Sequence, residues 1–115
     1  MTTLLIVDDS PEMRLLIGQV AAGAGDVVFE CADGDEVPEA YAAHRPDWVL
    51  MDVEMKRVDG LEATSALTRL HPEAKVVIVT KHADDETRRA ARESGALFFV
   101  GKDDLLSLRA LLREN

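Results

Sequence analysis

Three aspartates, one threonine and one lysine are the residues of this chain best placed to do chemistry together. Asp8 and Asp9 follow the apolar run Leu4-Leu5-Ile6-Val7, Asp52 follows Trp48-Val49-Leu50-Met51, Thr80 follows Val76-Val77-Ile78-Val79, and Lys102 comes just after Phe99-Val100-Gly101. Two carboxylates about 4 Å apart repel by about 4 kcal/mol at an effective dielectric near 20, so adjacent acids need solvent or a counter-charge. One lysine does not balance three acids. Hard oxygen ligands with open positions suit Mg²⁺, which keeps several waters and associates with phosphate. A cation together with the Lys102 ammonium would hold a transferred phosphoryl group by its equatorial oxygens, and Thr80 would add a hydroxyl donor. Asp52 is the candidate nucleophile, because a carboxylate can accept a phosphoryl group as an acyl phosphate.

That chemistry requires the four runs to end at one place. Residues 4–7, Val27–Cys31, 48–53, Val76–Thr80 and 97–100 read as short buried strands. Between them lie helical patterns. Ser10 caps the first, with Pro11 at its first position and Gly23 and Gly25 at its end. The others cover Val37–His44, Gly60–Leu70, 84–93 and 105–113, the last capped by Asp103 or Asp104. Pro38 fits only in the first turn of its helix. Five βα units in a row predict a three-layer α/β fold: a doubly wound parallel sheet in the order 2-1-3-4-5, flavodoxin-like, covered on both faces. In such a sheet ligands bind at the C-terminal strand ends, where all five polar residues fall.

The 115 residues suffice for one domain, residues 1–115, with a core of its own. A net charge of −9 argues against direct contact with nucleic acid or anionic lipid. The single cysteine, Cys31, reads as a small buried hydrophobe and suits a reducing compartment. No apolar run approaches a membrane span, and Met1-Thr2-Thr3 leads straight into the first strand, so the expected location is the cytoplasm. His44, His71 and His82 are too scattered for a metal site and belong in loops or at helix ends. Alone, Asp8-Asp9-Ser10 is a helix cap, Thr80 a strand-end residue and Lys102 a solvated one. Asp52 at the matching strand end is what favours a pocket.

With these residues in place the sequence resembles a two-component receiver domain, the phosphoacceptor module of response regulators. The resemblance rests on Ile6-Val7-Asp8-Asp9, Met51-Asp52 with Asp59-Gly60 following, Val79-Thr80, Ser94-Gly95-Ala96 and Phe99-Val100-Gly101-Lys102, and covers essentially the whole chain. It implies that Asp52 takes a phosphoryl group from a sensor histidine kinase or phosphotransfer protein. It implies that Mg²⁺ is held by Asp9, by Asp8 largely through water, by Asp52 and by the backbone carbonyl of Glu54. Lys102 and Thr80 would bind the phosphoryl oxygens. Thr80 and Phe99 would move together and rearrange the face of the fourth helix, fifth strand and fifth helix, a switch biased by a local charge change. A downstream protein or output domain would dock on that face, where Arg88, Arg89 and Arg92 cluster; a phosphorylation-dependent dimer would be a further partner.

The chain departs from the family at Lys56 and Asp103, where proline is usual, and at Lys81, where a small residue is usual. Lys81, with Glu54 and His82, borders the expected site and should tune the lifetime of the phosphorylated form. Such a module is not an enzyme and carries no output domain of its own. The alternatives are a pseudo-receiver that binds without being phosphorylated, and an aspartate-nucleophile phosphatase. The second is disfavoured, because Glu54 stands where haloacid-dehalogenase-like phosphatases carry a second aspartate.

Overall fold

The computed structural model describes residues 1–115. Its strands are β1 (Thr3–Val7), β2 (Val27–Cys31), β3 (Trp48–Met51), β4 (Val76–Thr80) and β5 (Phe98–Gly101). The helices are α1 (Pro11–Ala21), α2 (Val37–His44), α3 (Gly60–Leu70), α4 (Asp85–Ser94) and α5 (Leu105–Glu114). Every strand pair is parallel and the sheet order is β2-β1-β3-β4-β5, as the alternation of elements predicts.

Side chains alternate between the two sheet faces. Leu5, Val7, Val49, Met51, Val76 and Ile78 pack under α2, α3 and α4 through Val37, Tyr41, Ala63, Leu67 and Ala91. Leu4, Ile6, Trp48, Leu50, Val77, Val79 and Val100 pack on the other face against Ile17 of α1 and Leu108 of α5. Burying each such aliphatic side chain is worth roughly 1.5–3 kcal/mol, which is why β1, β3 and β4 are apolar on both faces.

Register carries the polar residues to one edge. Val7 pairs with Cys31 and with Met51, so Asp8 and Asp52 leave the sheet side by side. The Asp8 amide still donates to the Cys31 carbonyl at 3.1 Å, and the Asp52 amide to the Val7 carbonyl at 2.9 Å. Thr80 pairs with Gly101, so Lys102 starts one residue beyond that level.

Local signals explain most boundaries. Ser10 accepts from the Met13 amide at 3.2 Å, Asp59 from Glu62 at 2.8 Å and Asp84 from Thr87 at 2.7 Å, each satisfying an otherwise free helix donor. Asp84 is thus the cap of α4, not its first residue. Gly95 ends α4 at φ +107°, with Thr68 Oγ1 only 2.5 Å from where a Cβ would stand.

Four expectations need correction. β3 stops at Met51, since Asp52 and Val53 turn out of the sheet. β5 is shifted to Phe98–Gly101, leaving Leu97 exposed. α1 ends at Ala21, before the glycines. Asp104 stands at the cap position of α5, but its carboxylate takes no helix amide: a 3₁₀ turn over Lys102–Asp104 leads into the helix, and the carboxylate accepts from the Ser107 hydroxyl instead.

Candidate functional site

At the C-terminal edge of β1 and β3, Asp8, Asp9 and Asp52 each bring a carboxylate oxygen within 4.8 Å of the others. Asp8 and Asp52 are buried and Asp9 is exposed. Lys102 reaches in from the far side of the sheet edge, with Nζ 2.9 Å from Asp8 Oδ2 and 3.3 Å from Asp52 Oδ1. Asp8 Oδ1 accepts from the Ser10 amide at 2.9 Å. Asp8 Oδ2 is fully buried, and its one partner is the Lys102 ammonium at 2.9 Å, which it shares with Asp52. Three carboxylates with oxygens this close and one ammonium to serve them fit a hard divalent cation.

The charges confirm crowding. Burial, and then the neighbouring Asp8 charge, push the Asp52 carboxyl above its usual range, and Lys102 offsets this only in part. Burial works against the Lys102 ammonium, yet Asp8 and Asp52 outweigh it and raise its pKa. Three carboxyl groups thus share the pocket with one ammonium, a deficit of positive charge.

Backbone anchors fix the loops that carry these groups. Arg14 of α1 donates from Nη1 to the Asp8 carbonyl at 2.6 Å and from Nε to Glu30 at 2.7 Å. Gly60 lies so close to β3 that a Cβ there would stand 1.8 Å from the Asp52 carbonyl oxygen. Only glycine fits, which gives the Asp59-Gly60 pair its physical meaning.

Thr80 is fully buried, and its hydroxyl accepts from the His82 amide of the β4–α4 loop at 3.1 Å. Phe99 is half-buried on β5, with the Arg88 guanidinium 4.6 Å from its ring centre. Glu54 and His82 pair with each other, and Lys81 is exposed with no ion-pair partner. The structure thus joins Asp8, Asp9, Asp52 and Lys102 directly; Thr80 and Phe99 stand on the neighbouring strands without contacting the carboxylates.

Sequence reasoning missed Arg14 and Asp33. Asp33 is 2 % exposed and accepts from the amides of Arg57 and Val58, both at 2.9 Å. Asp33-Gly34 reads as a turn signal, and no local pattern reveals a carboxylate that bonds backbone 24 and 25 residues away.

A family model for the response regulator receiver domain matches residues 4–113. The chain belongs to that family. Its receiver sequence is 44 % identical over 88 residues to a protein-glutamate methylesterase/protein-glutamine glutaminase of Geobacter metallireducens, covering 75 % of this chain and 25 % of that protein. The receiver spans about a quarter of that relative's length, and the match lies within its receiver part. The chemotaxis protein CheY of Halobacterium salinarum is 32 % identical over 86 % of this chain and 82 % of its own. Among solved structures, a BeF3-activated N-terminal receiver domain of Klebsiella pneumoniae RstA superposes with a TM-score of 0.89 at 27 % identity, covering 97 % and 96 % of the two chains. Receivers are signalling modules of two-component systems, and they generally bind Mg²⁺ at an acidic pocket. No helix of this receiver is long and apolar enough to cross a membrane.

Proposed function

We propose that this receiver accepts a phosphoryl group on Asp52 from a histidine kinase or phosphotransfer protein. The observation that carries the reading is the convergence of Asp8, Asp9, Asp52 and Lys102 at one sheet edge, three carboxylates with a single ammonium between two of them. An Asp52 oxygen attacks phosphorus, the P–N bond of the donor phosphohistidine breaks, and its imidazole leaves with the bonding pair. Asp9 and Asp52 would hold Mg²⁺ directly, Asp8 mainly through water, and Glu54 through its backbone carbonyl. When bound, the cation neutralises charge on the phosphoryl oxygens. Lys102 is already placed to pair with them, and Thr80 reaches them by leaving the His82 amide.

That departure makes room for Phe99 to move inward, out from under Arg88. A groove of about 260 Å³ between α4 and β5, lined by Arg88, Arg92, Ala91, Phe98 and Phe99, would change with it. This supports the α4–β5–α5 face as the surface read by a downstream protein or output domain. Glu54, Lys81 and His82 border the mouth of the pocket and set how long the acyl phosphate survives.

The test is phosphorylation by acetyl phosphate, followed by intact mass, on wild type and Asp52→Asn. A phosphoryl adduct that needs Mg²⁺ and vanishes in the variant is expected. No adduct, together with failure to bind beryllofluoride, would overturn the reading in favour of a binding module that works without phosphate.

A further inference from the structure

We infer that Asp33 is a positioning residue for the pocket: its carboxylate holds the β3–α3 loop in the form that presents Glu54 to a cation. The inference rests on the reading of Asp52 and its neighbours as a cation-dependent phosphoacceptor site, and it assigns a task to a buried acid outside that site.

The β3–α3 loop leaves β3 at Asp52 and enters α3 at Gly60. Its base is closed by the Gly60 amide donating to the Val53 carbonyl at 2.8 Å. Its far side has no strand or helix to pair with, and Arg57 and Val58 would present free amides. Asp33, at the end of β2, takes both: Oδ2 accepts from Arg57 and Oδ1 from Val58, each at 2.9 Å. The Gly34 amide returns the contact by donating to the Val58 carbonyl at 3.2 Å. A Cβ on Gly34 would stand 2.4 Å from that carbonyl oxygen, so the two turns touch backbone to backbone. Glu54 therefore lies between two fixed points, the strand end at Asp52 and the Asp33 bonds at Arg57 and Val58.

A carboxylate suits this place better than an amide would. Both oxygens face N–H donors, so the NH₂ of asparagine would oppose one of them and leave a buried amide unpaired. Arg57 adds a second tie, with Nε 2.6 Å and Nη2 3.0 Å from the Asp35 carboxylate, but that pair is exposed and contributes little by comparison. A merely structural Asp33 would cap the turn over Gly34–Glu36, yet its bond to the Asp35 amide is long, at 3.4 Å. Its two short bonds go to the other loop.

The experiment is calorimetric Mg²⁺ titration of wild type, Asp33→Asn, Gly34→Ala and Asp35→Ala, with amide hydrogen exchange at Arg57 and Val58. Outer partners that orient metal ligands cost about tenfold or more in affinity when replaced. Asp33→Asn is expected to weaken Mg²⁺ binding about tenfold and to speed exchange at both amides. Gly34→Ala, which pushes the same contact apart from the other side, is expected to do likewise if Asp33→Asn fails to fold. Asp35→Ala should leave Mg²⁺ affinity within about twofold, since an exposed ion pair contributes little. Faster exchange with unchanged Mg²⁺ affinity would overturn the inference and leave Asp33 a fold residue. A wild type that binds no Mg²⁺ would overturn the underlying site reading as well, so the two failures are distinguishable.

Discussion

Glu54 and His82 pair with each other, joining the β3–α3 and β4–α4 loops from positions 28 residues apart. Both side chains are exposed, and the contact is a direct tie between two loops that leave neighbouring strands; in the proposed reading they border the phosphoacceptor site. The second tie on that side is internal, from the His82 amide to the Thr80 hydroxyl.

Breaking the Glu54–His82 pair should open the mouth. Glu54→Ala and His82→Ala are each expected to shorten the half-life of the phosphorylated receiver, by no more than about fivefold given the modest worth of exposed ion pairs. The double variant should decay no faster than the quicker single one, since the two side chains act as one contact. Loss of the phosphoryl adduct, timed by intact mass, checks this. Additive effects would show that each side chain acts alone.

Asp52 carries a stability cost that a cation would relieve. Its carboxylate is buried beside Asp8, and one ammonium serves both. In chelator, Asp52→Asn is expected to melt higher than wild type, by about 4 °C for each ~1 kcal/mol of relieved repulsion. Adding Mg²⁺ should then raise the wild type more than the variant, because a ligand stabilises only the fold that binds it. Thermal melts with and without Mg²⁺ decide it; equal Mg²⁺ shifts would remove Asp52 from the ligand set.

Gly60 tests the approach of α3 to the end of β3. A methyl placed 1.8 Å from the Asp52 carbonyl oxygen cannot be absorbed by a rotamer change, because the obstacle is backbone. Gly60→Ala is expected to cost about 3 kcal/mol of folding stability in urea unfolding, the upper range for overpacking. A cost below about 1 kcal/mol would mean that the start of α3 shifts freely.

The fold was legible because apolar strand runs alternate with helical patterns, and at some ends a local signal agrees with them: Ser10 and Pro11 start α1 and Gly95 ends α4. The clustering of Asp8, Asp9, Asp52 and Lys102 followed from the register of a parallel sheet and was legible too. What was not legible lies between loops. Asp33 bonds to Arg57 and Val58, Arg14 to the Asp8 carbonyl and Glu54 to His82, all through chain separations that no periodicity encodes. Asp103 and Asp104 misled for a related reason. Both are good caps by type, but with a 3₁₀ turn before the helix Asp104 holds the cap position without bonding a helix amide.

Asp33 also predicts how the receiver meets acid. Burial favours its protonated form, but bonds from the Arg57, Val58 and Asp35 amides and the Arg57 charge win and bring it down to about 2 from 3.8. A carboxyl whose folded pKa lies below its unfolded one stabilises the fold fully above the unfolded value, and loses that contribution as pH falls through the folded value. Across roughly pH 4 to 2 the unfolded chain therefore takes up this proton first, and stability falls with pH. Asp26 and Asp84, whose carboxyls are also held low by backbone amides, add to the same slope in wild type and variant alike. Asp33→Asn lacks only the Asp33 share. Urea unfolding in steps from pH 6 to pH 2 should show the gap between wild type and Asp33→Asn widest above pH 4 and narrowing toward pH 2. A gap that stays constant across the series would mean that the bonds to Arg57 and Val58 do not depend on the charge of Asp33.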